Sequence, residues 1–281
     1  MARFLERLVP GDAKIEQMIQ KITAASAVDP AIPDLFGSKL LFKRLPFLGR
    51  AAVRDHFKAL MEDVPEQPIV VINGPSDSGK TYTAEFVRHI RSRYPQIISC
   101  HIRLQKGQGE TIGAGELARD IATQLGGDLG LLPKKGDTNA IRWPQELANT
   151  LVTFAAATHK KCWIILDGFN DKELASSPDT RQLIVTLSHV ITNGAAQTLH
   201  RLILLDFSAG HLLNPVGTIA IENIPGLPIS KVEEFVREFA AARPPEEVQA
   251  LIEKVKSGLP DPVLNLSEVG RRLADLVQLV G

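Results

Sequence analysis

Apolar positions along the chain change period several times, and those changes divide it into elements. Over residues 13–25, Ile15, Met18, Ile19 and Ile22 recur at helical spacing and predict one short amphipathic helix. Residues 28–48 are punctuated by proline and lose the period, so they read as a linker or an arm lying across a main domain. A helix over 51–62 follows. From there strands and helices alternate: a β-branched run at 69–73, a helix through Arg93, a strand at 97–104, and helices at 114–125 and 144–159 separated by a glycine- and lysine-bearing loop. Residues 162–166 are continuously apolar, as a strand buried on both faces should be. A helix at 179–191 and strands at 201–207 and 218–224 complete the alternation, and three amphipathic segments follow at 231–242, 245–256 and 267–280.

Strands interleaved with helices of this length predict an α/β fold: a five-stranded, mainly parallel sheet with right-handed crossovers, flanked by helices and followed by a small C-terminal helical lid. Composition adds little. Lysine plus arginine number 32 and aspartate plus glutamate 32, so no overall positive field draws the chain to nucleic acid or an anionic membrane. No apolar stretch approaches the ~20 residues that span a bilayer, and a cytoplasmic location is expected. Cys100 and Cys162 fall inside apolar strands, where cysteine behaves as a small hydrophobe. The histidines show no metal-ligand spacing.

The chemistry concentrates in Gly74-Pro75-Ser76-Asp77-Ser78-Gly79-Lys80-Thr81, which fits G-x-x-x-x-G-K-[ST] at every position. A strand ends at Asn73 and a helical pattern begins at Lys80, which is the context the motif requires. Triphosphate oxygens must be approached by bare backbone, and the glycines permit that approach at a helix N-terminus whose dipole favours an anion. Lys80 reaches the β and γ phosphates, and the Thr81 hydroxyl ligates Mg²⁺. Asp167 ends a buried strand, where parallel sheets bind ligands, and is the second expected metal group. Asp171 and Asn170 are candidates for orienting an attacking water; either residue can instead cap the next helix. Asp206 and Ser208, ending the fourth strand of the alternation, are candidates for sensing the γ-phosphate or for a turn.

Four segments together resemble a STAND-type ATPase, the signal-transducing branch that includes NACHT and NB-ARC families within the wider AAA+ group of P-loop NTPases. Phe47-Leu48-Gly49-Arg50 is similar to the family's motif before the first strand, Gly74 to Thr81 to Walker A, residues 166–171 to the NACHT form of Walker B, and Ser257-Gly258-Leu259-Pro260 to its Gly-x-Pro motif. The resemblance implies adenine contacts from Leu48 and Pro260, with Tyr82 beside the loop. Asn170 stands where a second carboxylate is common, and Asp206 where an arginine often stands.

The expected organisation is an N-terminal helix and linker arm over 1–45, a nucleotide-binding α/β domain over 46–226 and a helical lid over 227–281. The expected function is a Mg²⁺-dependent switch that binds ATP, hydrolyses it slowly to ADP, and signals its state to a protein partner or a second copy. The alternatives are a P-loop kinase acting on a small molecule, for which Arg119, Arg142 and Arg181 are available, and a module that holds nucleotide without turnover.

Overall fold

The computed structural model describes residues 34–42, 44–105, 112–136, 141–193, 196–214, 217–263 and 265–280. The helix expected over 13–25 and the first part of the expected arm lie outside the described residues. Residues 39–281 form one compact unit.

Within it, β1 (Leu40–Leu41) and β2 (Leu45–Pro46) pair as a small antiparallel hairpin where the sequence pattern suggests only a linker. Two-residue strands carry no readable period, and the hairpin owes its place to Phe47, whose ring stacks on Phe86 at 4.8 Å. Next come α1 (Ala51–Ala59), β3 (Ile69–Asn73), α2 (Tyr82–Arg91), β4 (Ile97–Arg103), α3 (Ala114–Leu125) and α4 (Trp143–Ala157). The alternation ends with β5 (Lys161–Asp167), α5 (Pro178–Thr192), the single-turn α6 (Ala196–Leu199), β6 (His200–Leu205) and β7 (Ile219–Asn223). Three helices, α7 (Ile229–Phe239), α8 (Pro245–Lys256) and α9 (Leu266–Val280), follow.

The sheet order is β4-β5-β6-β3-β7, and every pairing is parallel. The chain leaves β3, crosses to the far edge at β4, and steps back through β5 and β6 to return beside β3. It then crosses to the other side of β3 as β7. The order thus reverses at β3, and the crevice beyond the strand ends at such a reversal is where open α/β sheets bind ligands.

Alternation along β5 divides its side chains between two layers. Cys162, Ile164 and Leu166 join a core with Leu117, Ile121, Leu147, Leu151 and Leu183 from α3, α4 and α5. Trp163 turns to the opposite face, where its ring lies 5.7 Å from Phe57 of α1. Each such buried side chain contributes about 1.5–3 kcal/mol, so neither face of the central strands is left to solvent. At the β4 edge, the Gln124 side chain accepts from His101 N at 2.9 Å and donates to His101 O at 3.0 Å, occupying backbone groups that another strand would otherwise use.

The three last helices share a core of their own, with Val232, Phe235 and Val236 meeting Ile252, Val255, Val269, Leu273 and Leu276. Reciprocal bonds between Leu227 and Val263, both 2.8 Å, bring the start of α7 beside the connection from α8 to α9.

Candidate functional site

The loop between β3 and α2 is built so that its amides stay available. Asp77 and Gly79 adopt positive φ, +60° and +78°, which curls the chain around a concavity. Ser78 N closes an internal turn on Pro75 O at 3.3 Å. Among the described residues, the amides of Ser76, Asp77, Gly79, Lys80 and Thr81 donate to no protein acceptor. Unpaired backbone donors are costly unless water or a ligand satisfies them, so five in one loop mark an anion seat. Gly74 is required by space: a Cβ there would lie 2.9 Å from both Ile224 O and Ser78 Oγ. Regular helix starts at Tyr82 rather than Lys80, because Tyr82, Thr83 and Ala84 bond three residues back in a tightened first turn.

Lys80 is buried, and its ammonium group donates to Gly74 O at 2.8 Å and Pro75 O at 2.6 Å. Asp206 Oδ1 lies 3.2 Å away, bringing the end of β6 to the loop. Asp206 holds φ +66°, a strained setting that aspartate tolerates better than most residues. Burial raises its carboxyl pKa above the ordinary range, and nearby Lys80 opposes that shift. From β5, Asp167 is buried, and its Oδ2 has no hydrogen-bond partner among the described residues. His101 Nε2 stands 3.7 Å and Arg103 Nε 3.8 Å from that oxygen, both beyond hydrogen-bonding range.

Lys80, Asp206, Asp167 and Arg103 line one open cleft of about 730 Å³ together with Ser76, Asp77, Gly79, Thr81, Tyr82, Asn170 and Glu173. The two candidates for orienting water fare differently. Asn170 lines the cleft, but its Oδ1 accepts from Lys172 N at 3.0 Å and Glu173 N at 3.1 Å, so it caps the next turn. Asp171 is not brought to the cleft; its carboxylate meets His211 Nε2 at 2.7 Å on an exposed face. Arg103 and Glu173 line the cleft without having been singled out in the sequence. Their only signal is position just beyond or at a strand end, which many residues share.

A smaller pocket shares Gly79 and Tyr82 with the cleft. Leu48, Phe47, Arg50, Gly79, Tyr82, Leu227, Leu266 and Gly270 line it, so the motif before β3 and the face of α9 meet. Burial lowers the Arg50 pKa to about 10, which leaves the group charged at neutral pH, and its guanidinium donates to Ser78 O. Leu266 N, at the start of α9, donates to Asp77 O at 2.9 Å. Pro260 lines neither cavity and is exposed in the turn after α8.

No protein-family model matches the chain, and no curated protein matches it. Solved structures do. Cdc6p from Pyrobaculum aerophilum aligns with TM-score 0.51 and 15% identity over 85% of this chain and 62% of that one. The Aeropyrum pernix ORC2 protein in ADPNP-ADP complexes aligns with TM-score 0.52 and 14% identity over 85% and 63%. A STAND protein with a tetratricopeptide repeat sensor from Pyrococcus horikoshii aligns with TM-score 0.41 and 18% identity over 85% and 34%. The chain spans less than two thirds of the length of these structures. At such identities the likeness is one of fold alone: the five-stranded parallel sheet flanked by helices is a P-loop NTPase fold shared with the Cdc6p and ORC2 structures. No helix among the described residues is long and apolar enough to cross a membrane.

Proposed function

We propose that the protein binds ATP with Mg²⁺ in the cleft and acts as a slowly hydrolysing switch whose nucleotide state is read through its helical lid by a partner or a second copy. The observation that carries this is the loop of five unpaired amides beside the buried Lys80 ammonium. The residues suit the group they would hold. Gly74 leaves the space that a side chain would fill, and Asp167 Oδ2, buried without a partner, together with the Thr81 hydroxyl, suits a hard divalent cation with oxygen ligands. The ORC2 protein that shares this fold carries ADPNP and ADP, which supports the same ligand class.

The lid enters because the pocket of Leu48, Tyr82, Leu266 and Gly270 encloses about 30 Å³, room for about two waters. A purine enters it only if the first turns of α9 shift. The Leu266–Asp77 bond ties those turns to the phosphate loop, so filling the pocket and reshaping the loop move together. Residues 227–281 thus serve as the lid over the nucleotide-binding residues 46–226.

Slow turnover follows from the water side of the cleft, where Asp171 faces away and Asn170 is used as a cap. The same arrangement favours a second reading, retention of nucleotide without hydrolysis. Recovery of the bound nucleotide after long incubation with ATP distinguishes them, since ADP appears only in the first. Binding itself is tested by calorimetry with Mg²⁺-ATP, where Lys80→Ala should weaken affinity at least about tenfold. Unchanged affinity overturns the site.

A further inference from the structure

Among the described residues three cationic side chains line the cleft, Lys80, Lys172 and Arg103, and the proposed binding scheme uses only the first. Lys80 is largely committed, with its side chain only 7% exposed and held by two carbonyls and Asp206. Lys172 sits on an exposed loop residue. Arg103 differs from both. It is the last residue of β4 and pairs in register with Asp167, which places the two Cα atoms on adjacent strands about 4.8 Å apart. Its side chain is 63% exposed, lines the cleft, and makes one ion pair among the described residues, the 3.8 Å approach of Nε to Asp167 Oδ2. Both terminal nitrogens of the guanidinium remain without a protein acceptor among the described residues.

We propose that Arg103 is the arginine this chain supplies in cis to the terminal phosphate of its nucleotide, and that it sets the preference for ATP over ADP; this rests on the nucleotide reading above. The sheet order gives the direction. From the loop after β3 the strand ends run outward through β6 with Asp206, β5 with Asp167 and β4 with Arg103. The pocket of Leu48 and Tyr82 takes Leu227 from beyond β7 and no residue from β4, β5 or β6, so a nucleotide with its base there points its phosphate end toward β4. The charge balance demands such a partner. Asp77, Glu85, Asp167, Glu173 and Asp206 line the cleft against three cationic side chains, a poor setting for a polyanion unless each cation is used. Once the Asp167 charge is shared with a metal ion, its weak hold on Arg103 relaxes, and the planar fork of the guanidinium matches two phosphate oxygens at once.

The test uses the full chain carrying Arg103→Met or Arg103→Lys, with displacement of a fluorescent ADP analogue by ATP and by ADP in Mg²⁺, and thermal unfolding with each nucleotide. In Arg103→Met, ATP affinity should fall about tenfold while ADP stays within about twofold, with Arg103→Lys between, as loss of a bidentate contact to one phosphate requires. The extra thermal protection given by ATP over ADP should vanish with it. Equal losses for both nucleotides, or no loss for ATP, overturn the inference. So does a shift in Mg²⁺ dependence common to both nucleotides, which would mean that Arg103 only holds Asp167 in place. A wild-type chain that binds neither nucleotide brings down the nucleotide reading itself, and the assignment of Arg103 with it.

Discussion

His200 begins β6 at the end of the sheet opposite the cleft and is 1% exposed. Burial, reinforced by the adjacent Arg201 charge, pushes its pKa down from 6.5 to about 4. Between those two values the unfolded chain binds a proton that the folded chain refuses, so stability falls as pH drops through that window and is level above it. The gap limits the loss to about 3 kcal/mol, and about 2 kcal/mol of it should be gone at pH 5 relative to pH 8. Urea unfolding at the two pH values, on wild type and His200→Leu, isolates this contribution. His89, also depressed by burial, and the carboxylates held below their ordinary range by nearby lysines and arginines are common to both proteins and cancel in the comparison. The wild type should lose about 2 kcal/mol more than the variant between pH 8 and pH 5. Equal losses would refute the reasoning and mean that the imidazole is protonated inside the fold or reached by water.

Three further outcomes are expected. Asp167→Asn should abolish the Mg²⁺ dependence of nucleotide binding, whereas Asp171→Asn, which touches only the exposed pair with His211, should leave binding and phosphate release unchanged; a loss of release in Asp171→Asn would place that carboxylate in the cleft after all. Arg201 is fully buried and donates to Leu60 O at 3.0 Å, Glu62 O and Gln197 O at 2.7 Å and His200 O at 2.8 Å. Arg201→Met strands those carbonyls and should cost about 3–5 kcal/mol in denaturant unfolding, with ATP affinity in the folded protein unchanged; a cost below about 1 kcal/mol would mean that water replaces the guanidinium.

Local pattern accounts for what the sequence determined. The strand at 69–73, the loop from Gly74 to Thr81 and the helix after it are contiguous, and each depends on neighbours a few residues away, so the anion seat is visible in the residue types alone. Asp167 is visible for a related reason, because a run buried on both faces and ending in a carboxylate is written in one short segment. The strand and helix alternation carried the parallel α/β class in the same way.

Tertiary structure decided the rest, because it depends on strand order and on contacts between residues far apart in the chain. Arg103 meets Asp167 only because β4 pairs with β5, and Asp206 reaches Lys80 only because β6 lies beside β3. Both candidates at Asn170 and Asp171 look alike as letters; one turns inward to cap a turn and the other outward to His211. Likewise Leu48 is carried to Tyr82 and Gly270 by the packing of the hairpin and α9, while Pro260 stays exposed in its turn. Period and motif report what a segment does to its own backbone, and only the packed sheet determines which side chains from separate segments share one cleft.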